Sequence, residues 1–203
     1  TIESALQKVR ELNEVGLAST LDHLGEFVRN KVEAVEATKC NIKALEAIAE
    51  GGVQSQLSVK LTQLGLDLGA DFCLQNMQLI METANRTRNF VTIDMEDYSH
   101  CQMTLDVLNE LRKDFENVGT VIQAYLYRSR QDVMALKDVP LRLVKGAYKE
   151  AAGVAFQDKK EVDENFLNLI KLHLLNGSYT AIATHDHQII AKVKSFVENH
   201  NIS

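Results

Sequence analysis

Short β-branched runs alternate along the chain with longer segments whose apolar residues recur at helical spacing. The runs predict strands at residues 16–20, 56–61, 90–94, 120–126, 141–145 and 179–184. Between them, Val32, Val35, Ile42, Leu45 and Ile48 mark one helical face. Met103, Val107, Leu111 and Phe115 mark a second. Val162, Phe166, Ile170 and Leu174 mark a third, with Asn176-Gly177 as its C-terminal cap. Asp186 reads as the N-cap of a helix that uses Ile189, Ile190, Val193 and Val197. Pro140, the only proline, stands just before a strand, where its missing N–H does least harm.

Strands alternating with helices imply a parallel β/α architecture. No Gly-x-Gly-x-x-Gly follows a strand, which weakens the reading as an open dinucleotide-binding sheet. Polar residues close several different strands, and a (β/α)8 barrel gathers such residues on one face. The expectation is therefore a TIM-type barrel, with about six of its eight units present, as a single domain over residues 1–203.

Composition narrows the function. With 203 residues, 45% hydrophobic and 25% charged, the chain can bury a sizeable core. The net charge of -6 argues against nucleic acid as a partner. Cys40, Cys73 and Cys101 are odd in number, widely spaced and without a Cys-x-x-Cys, which fits a reduced cytosolic protein rather than a disulfide framework or zinc site. No apolar run approaches the roughly 20 residues of a membrane helix, and no signal peptide opens the chain.

The densest chemistry lies in the stretch from Leu141 to Glu150. It opens as a buried strand, yet carries Arg142 and Lys145 before breaking at Gly146-Ala147. Cations in a strand are costly to bury unless an anionic group meets them. A glycine beside them lets a ligand approach the backbone. Lys60, Asp94, Gln123 and the run Thr184-His185 stand at comparable strand ends. Taken singly, each is more often an ion pair, a cap or a core hydrogen bond than a catalyst. Together, with Lys60 and Asp94 ending neighbouring strands and expected to pair, they define a candidate site.

These runs resemble the motifs of the FAD-dependent proline dehydrogenases. The similarity is carried by Leu143-Val144-Lys145-Gly146-Ala147-Tyr148, Ser58-Val59-Lys60-Leu61, Ile93-Asp94-Met95-Glu96, Gln123-Ala124-Tyr125-Leu126 and Ala183-Thr184-His185, in family order. The run from Gly16-Leu17-Ala18 to Leu24-Gly25-Glu26 also fits. The resemblance implies a (β/α)8 barrel that oxidises L-proline to 1-pyrroline-5-carboxylate, passing a hydride to FAD and electrons on to a membrane quinone. It implies Asp94 and Arg142 as catalytic residues, and Lys60 and Tyr148 as substrate-binding residues. Met95, Gln123, Lys145, Gly146, Ala147, Thr184 and His185 would contact FAD. No metal is implied. The implied location is the cytoplasm, or the inner face of the membrane as a peripheral protein.

Three departures stand out. Lys149 replaces an aromatic residue common after Gly-Ala-Tyr, and Asp186 replaces an asparagine after Thr-His. The family barrel also continues through two more strands to a helix with adjacent arginines that grip the proline carboxylate. This sequence ends at Asn201-Ile202-Ser203 and contains no Arg-Arg pair. The expectation is a C-terminally incomplete barrel, inactive as an isolated fragment and self-associating through strand edges. Two other readings remain open at this point. A Schiff-base aldolase could use Lys60 or Lys145, and His185-Asp186-His187 offers metal-ligand residue types, though Asp186 as a cap would send its neighbours apart.

Overall fold

The computed structural model of the protein describes residues 1–202. In chain order these form α1 (Ile2–Glu14), β1 (Ser19–Asp22), α2 (Lys31–Gly51), β2 (Ser55–Val59), α3 (Ala70–Arg86), β3 (Val91–Ile93) and α4 (Cys101–Leu111). There follow β4 (Val118–Gln123), α5 (Ser129–Ala135), β5 (Leu141–Val144), α6 (Lys159–Asn176), β6 (Thr180–Ile182) and α7 (His187–His200). The six expected strands are all present. Two compact units result, one of residues 1–94 and 102–118, the other of residues 95–101 and 119 onward.

In the first unit β1, β2 and β3 pair in parallel, with Asp22 opposite Ser58 and Val59 opposite Ile93. Strand alternation then sorts the side chains. Leu57, Val59, Val91 and Ile93 are fully buried. Asp22, Ser58, Lys60, Thr92 and Asp94 share the other parity, so polar groups converge where the strands end.

Helix α2 starts at the Asn30 cap, whose side chain accepts from the Glu33 N–H at 3.0 Å, and stops at Gly52 in the left-handed region (φ 61°). Its buried face is Ala34, Ala37, Thr38, Asn41, Ala44, Leu45 and Ile48. The expected Val32 is 71% exposed instead. Small residues form this face because α2 packs against both α1 and α3, and alanines let the helices approach. Helix α4 also turns a slightly different face inward than expected. Leu105, Val107, Leu108 and Leu111 are buried, Met103 is partly exposed, and Phe115 lies beyond the helix end.

In the second unit β4, β5 and β6 pair in parallel, and Arg142 lies opposite Val121 on one side and Ala181 on the other. Leu141 and Leu143 are buried, while Arg142 and Val144 on the opposite face are half-buried. Helix α6 packs on β5 and β6 through Phe166, Leu169, Ile170 and His173. Gly177 closes α6 as expected, but in an extended conformation (φ -100°, ψ -172°) rather than a left-handed one. The glycine is needed for space, since a Cβ there would lie 2.4 Å from the His173 ring. The predicted Asp186 cap of α7 is formed, its carboxylate accepting from the N–H groups of Gln188 and Ile189 at 3.1 and 3.3 Å.

Candidate active site

In the first unit the site is built on Lys60. Val59 is the last residue of β2 and Ile93 the last of β3, so Lys60 and Asp94 emerge side by side. The Asp94 N–H donates to the Val59 carbonyl at 2.9 Å, which extends the ladder by one step and fixes the carboxylate's origin. The Lys60 ammonium donates to Asp94 Oδ2 at 3.0 Å and to Asp22 Oδ2 at 3.1 Å. The second Asp94 oxygen accepts from the Ser58 hydroxyl at 2.8 Å. The expected Lys60–Asp94 pair is therefore formed, and with both its oxygens bonded the Asp94 carboxylate is held in one orientation.

Asp22 and Ser58 are partners that the strand-end reading did not single out. The period of two would have found Ser58, two residues before Lys60 on the same face, and the β1 register then brings Asp22 alongside. The three charged side chains are only 17–26% exposed. Burial works to lower the Lys60 pKa, but the hydrogen bonds and charges of Asp94 and Asp22 outweigh it and hold the ammonium above the ordinary lysine value. Lys60 is thus a permanent cation in the neutral range. An ammonium carries three N–H donors, and its two carboxylate bonds use two of them.

In the second unit the two cations in and just after β5 divide. Arg142 stays on the half-buried face of the strand. Lys145, of opposite parity, forms an ion pair with Asp163 of α6 at 2.6 Å and donates to Asp186 at 3.0 Å. Burial opposes its charge, yet the two carboxylates raise its pKa above the usual lysine value. The two cations of this stretch thus do different things, and Lys145 ties β5 to the starts of α6 and α7.

Gly146 has φ 118°, in the left-handed region that favours glycine, and a Cβ there would lie 2.3 Å from the Tyr125 ring. After it the backbone opens: Ala147 is exposed and Tyr148 half-buried. Gln123 is buried, and its Nε2 donates to the Glu96 carbonyl at 2.8 Å, so it orders the segment that begins at the buried Met95. Thr184 Oγ1 accepts from the Asp186 N–H at 3.1 Å, and His185 is exposed beside it. Among the described residues, no group of three or more His, Cys, Asp or Glu side chains is arranged to hold a metal ion.

Parallel strands alternating with helices, each strand closing on polar side chains, define a protein of the β/α-barrel class. Comparison with solved structures agrees. Proline utilization A (PutA) from Bdellovibrio bacteriovorus, inactivated by N-propargylglycine, superposes with a TM-score of 0.92 at 24% identity, over 100% of this chain and 26% of that one. A PutA variant from Bradyrhizobium japonicum gives 0.84 at 22% identity, over 98% and 24%. The fold is of the (β/α)8 type, of which the described residues supply six β/α units.

The particular family follows from sequence. Residues 5–203 match the Proline dehydrogenase family, and the chain belongs to it. Proline dehydrogenase 1 of Bacillus subtilis is 50% identical over 204 residues, covering 100% of this chain and 68% of that protein. Proline dehydrogenase 2 of the same species is 47% identical, covering 98% and 67%. The Proline dehydrogenase of Deinococcus radiodurans is 42% identical, covering 100% and 67%. The chain thus spans about two thirds of the length of these relatives.

Proposed function

We propose that the protein oxidises L-proline to 1-pyrroline-5-carboxylate, the first step of proline catabolism to glutamate, with FAD as cofactor and a membrane quinone as final electron acceptor. The family match supports the reaction and takes in residues of both units. The observation that carries it is the Lys60 ammonium, held charged between Asp22 and Asp94 at adjacent strand ends with one N–H donor to spare.

The spare donor suits a carboxylate oxygen of proline, because a charge-assisted bond is short and strong. Asp94 and Ser58 keep Lys60 aimed, so the substrate is bound without reorganisation. Tyr148, half-buried after the Gly146 turn, offers a ring to the apolar side of the proline ring. The residues at the end of β5 suit a flavin dinucleotide: the half-buried Arg142 of the strand and the exposed Ala147, presented by the Gly146 turn that packs against Tyr125 rather than opening to a ligand. Arg142, Gly146, Ala147, Thr184 and His185 would hold FAD, with Met95, Gln123 and Lys145 contributing further contacts. FAD, when bound, supplies the hydride acceptor. Arg142 is a fixed cation that favours the negative charge accumulating on reduction. No described helix is long and apolar enough to cross a membrane. In the proposed reaction the quinone would be met by peripheral contact at the inner face of the membrane.

The aldolase reading needs a lysine that is neutral near pH 7. Lys60 and Lys145 are both shifted the opposite way. The test uses the intact protein. Proline should reduce an artificial dye in the presence of FAD, and borohydride with a carbonyl compound should trap no covalent adduct on either lysine. An adduct without proline-dependent dye reduction would reverse the assignment.

A further inference from the structure

The segment after β5 that carries Ala147 and Tyr148 is long, and one residue outside it holds both of its ends. The Tyr125 N–H donates to the Lys145 carbonyl at 2.8 Å. The Tyr125 carbonyl accepts from the Phe156 N–H, also at 2.8 Å. Between these points the Tyr125 ring occupies the space where a side chain at residue 146 would stand. The neighbouring residues add to the seam. Tyr127 N–H donates to the Val154 carbonyl at 3.0 Å, Leu126 bridges Ala155, and the Tyr127 and Phe156 rings meet edge to face at 4.7 Å. The far tip is held separately, by Glu150 accepting the Tyr98 N–H at 2.7 Å.

Tyr125 itself is 8% exposed, and its hydroxyl is buried. Burial pushes that hydroxyl up to about 12, with the Glu150 charge adding to the rise and a hydrogen bond from the Tyr148 backbone opposing it. The ring thus contacts the turn of the loop at Gly146, and the hydroxyl faces the loop backbone at Tyr148.

We propose that Tyr125 is the positioning residue of the loop that presents Ala147 and Tyr148. Its ring seats Gly146 in the left-handed turn while its backbone closes the loop at Lys145 and Phe156, so the loop meets its ligands already ordered. This rests on the assignment of Tyr148 and the Gly146-Ala147 backbone to substrate and flavin. Pre-ordering removes the cost of fixing the loop on binding, so its loss falls on affinity more than on the chemical step.

The test compares Tyr125→Leu with Tyr125→Phe in the intact protein. In Tyr125→Leu, amide hydrogen exchange over residues 146–156 should accelerate about tenfold or more, with other segments unchanged. KM for proline should rise about tenfold while kcat stays within about threefold. Tyr125→Phe keeps the ring and should restore both readouts. Gly146→Ala attacks the same contact from the other side and should reproduce the exchange signature. The proposal is overturned if Tyr125→Leu or Gly146→Ala leaves exchange in the loop unchanged. It is equally overturned if Tyr125→Phe is as impaired as Tyr125→Leu. The exchange measurement needs neither proline nor flavin, so a protein that failed to oxidise proline would sink the proposed reaction and leave this test intact.

Discussion

Lys60→Met in the intact protein should lower kcat/KM for proline by about 10²-fold or more. The side chain keeps its length and loses its charge. A charge-assisted hydrogen bond to the substrate carboxylate is worth about 1.5–3 kcal/mol, or roughly 10–100-fold. The neighbours add to the loss. Asp22 and Asp94 are both bonded to Lys60, and without it two partly buried carboxylates face the incoming anion with no cation between them. Most of the effect should appear in KM, because the lost interaction is made in ground and transition states alike. Asp94→Asn should be milder, since the one amide oxygen can still accept from Lys60 while the NH2 donates to the Ser58 oxygen, and one negative charge is removed. Steady-state kinetics against proline checks both. An unchanged kcat/KM in Lys60→Met would remove the ammonium from the substrate site.

Arg142→Met should act on the other parameter. Its expected signature is a fall in turnover of about 10²-fold or more, the loss seen on removing one preorganised donor from developing charge. The flavin reduction potential should fall with it, because a fixed cation favours the reduced, more negative flavin. Arg142 lies on the half-buried face of β5, opposite the buried Leu141 and Leu143, so a methionine can replace it without entering that packed layer. Stopped-flow reduction by proline and a potentiometric titration measure the two effects. Unchanged turnover with unchanged potential would leave Arg142 a purely structural residue.

Five strands were legible because each is short, largely apolar and bounded by turn residues. The first was displaced: β1 is the polar Ser19–Asp22, three residues later than the expected start at Gly16, and its partners in β2 rather than its own apolar pattern define it. The Lys60–Asp94 pair was legible because neighbouring parallel strands of matched register bring their ends together. Helical faces were less secure. Large residues drew the eye to Val32 and Met103, whereas α2 buries Ala34, Ala37 and Ala44, which allow close helix packing but carry little hydrophobic signal. Seven residues are too few for α5 to display a face. The third group that could not be read was the set of long-range partners. Asp22 reaches Lys60 across 38 positions, Asp163 and Asp186 reach Lys145, and Tyr125 reaches Gly146, none of them by a local rule. Two cations lie close together in the sequence, Arg142 within β5 and Lys145 just after it, and only the ion pairs to Asp163 and Asp186 show that Lys145 turns toward α6 and α7.

If the strand ends serve a proline-reducible flavin, the visible spectrum of the purified intact protein, mixed with L-proline in the absence of oxygen, will report it. The expected result is the yellow spectrum of oxidised flavin, bleached by proline and restored by a quinone. A flavin that remains oxidised under saturating proline, or a protein that takes up no FAD, would contradict it.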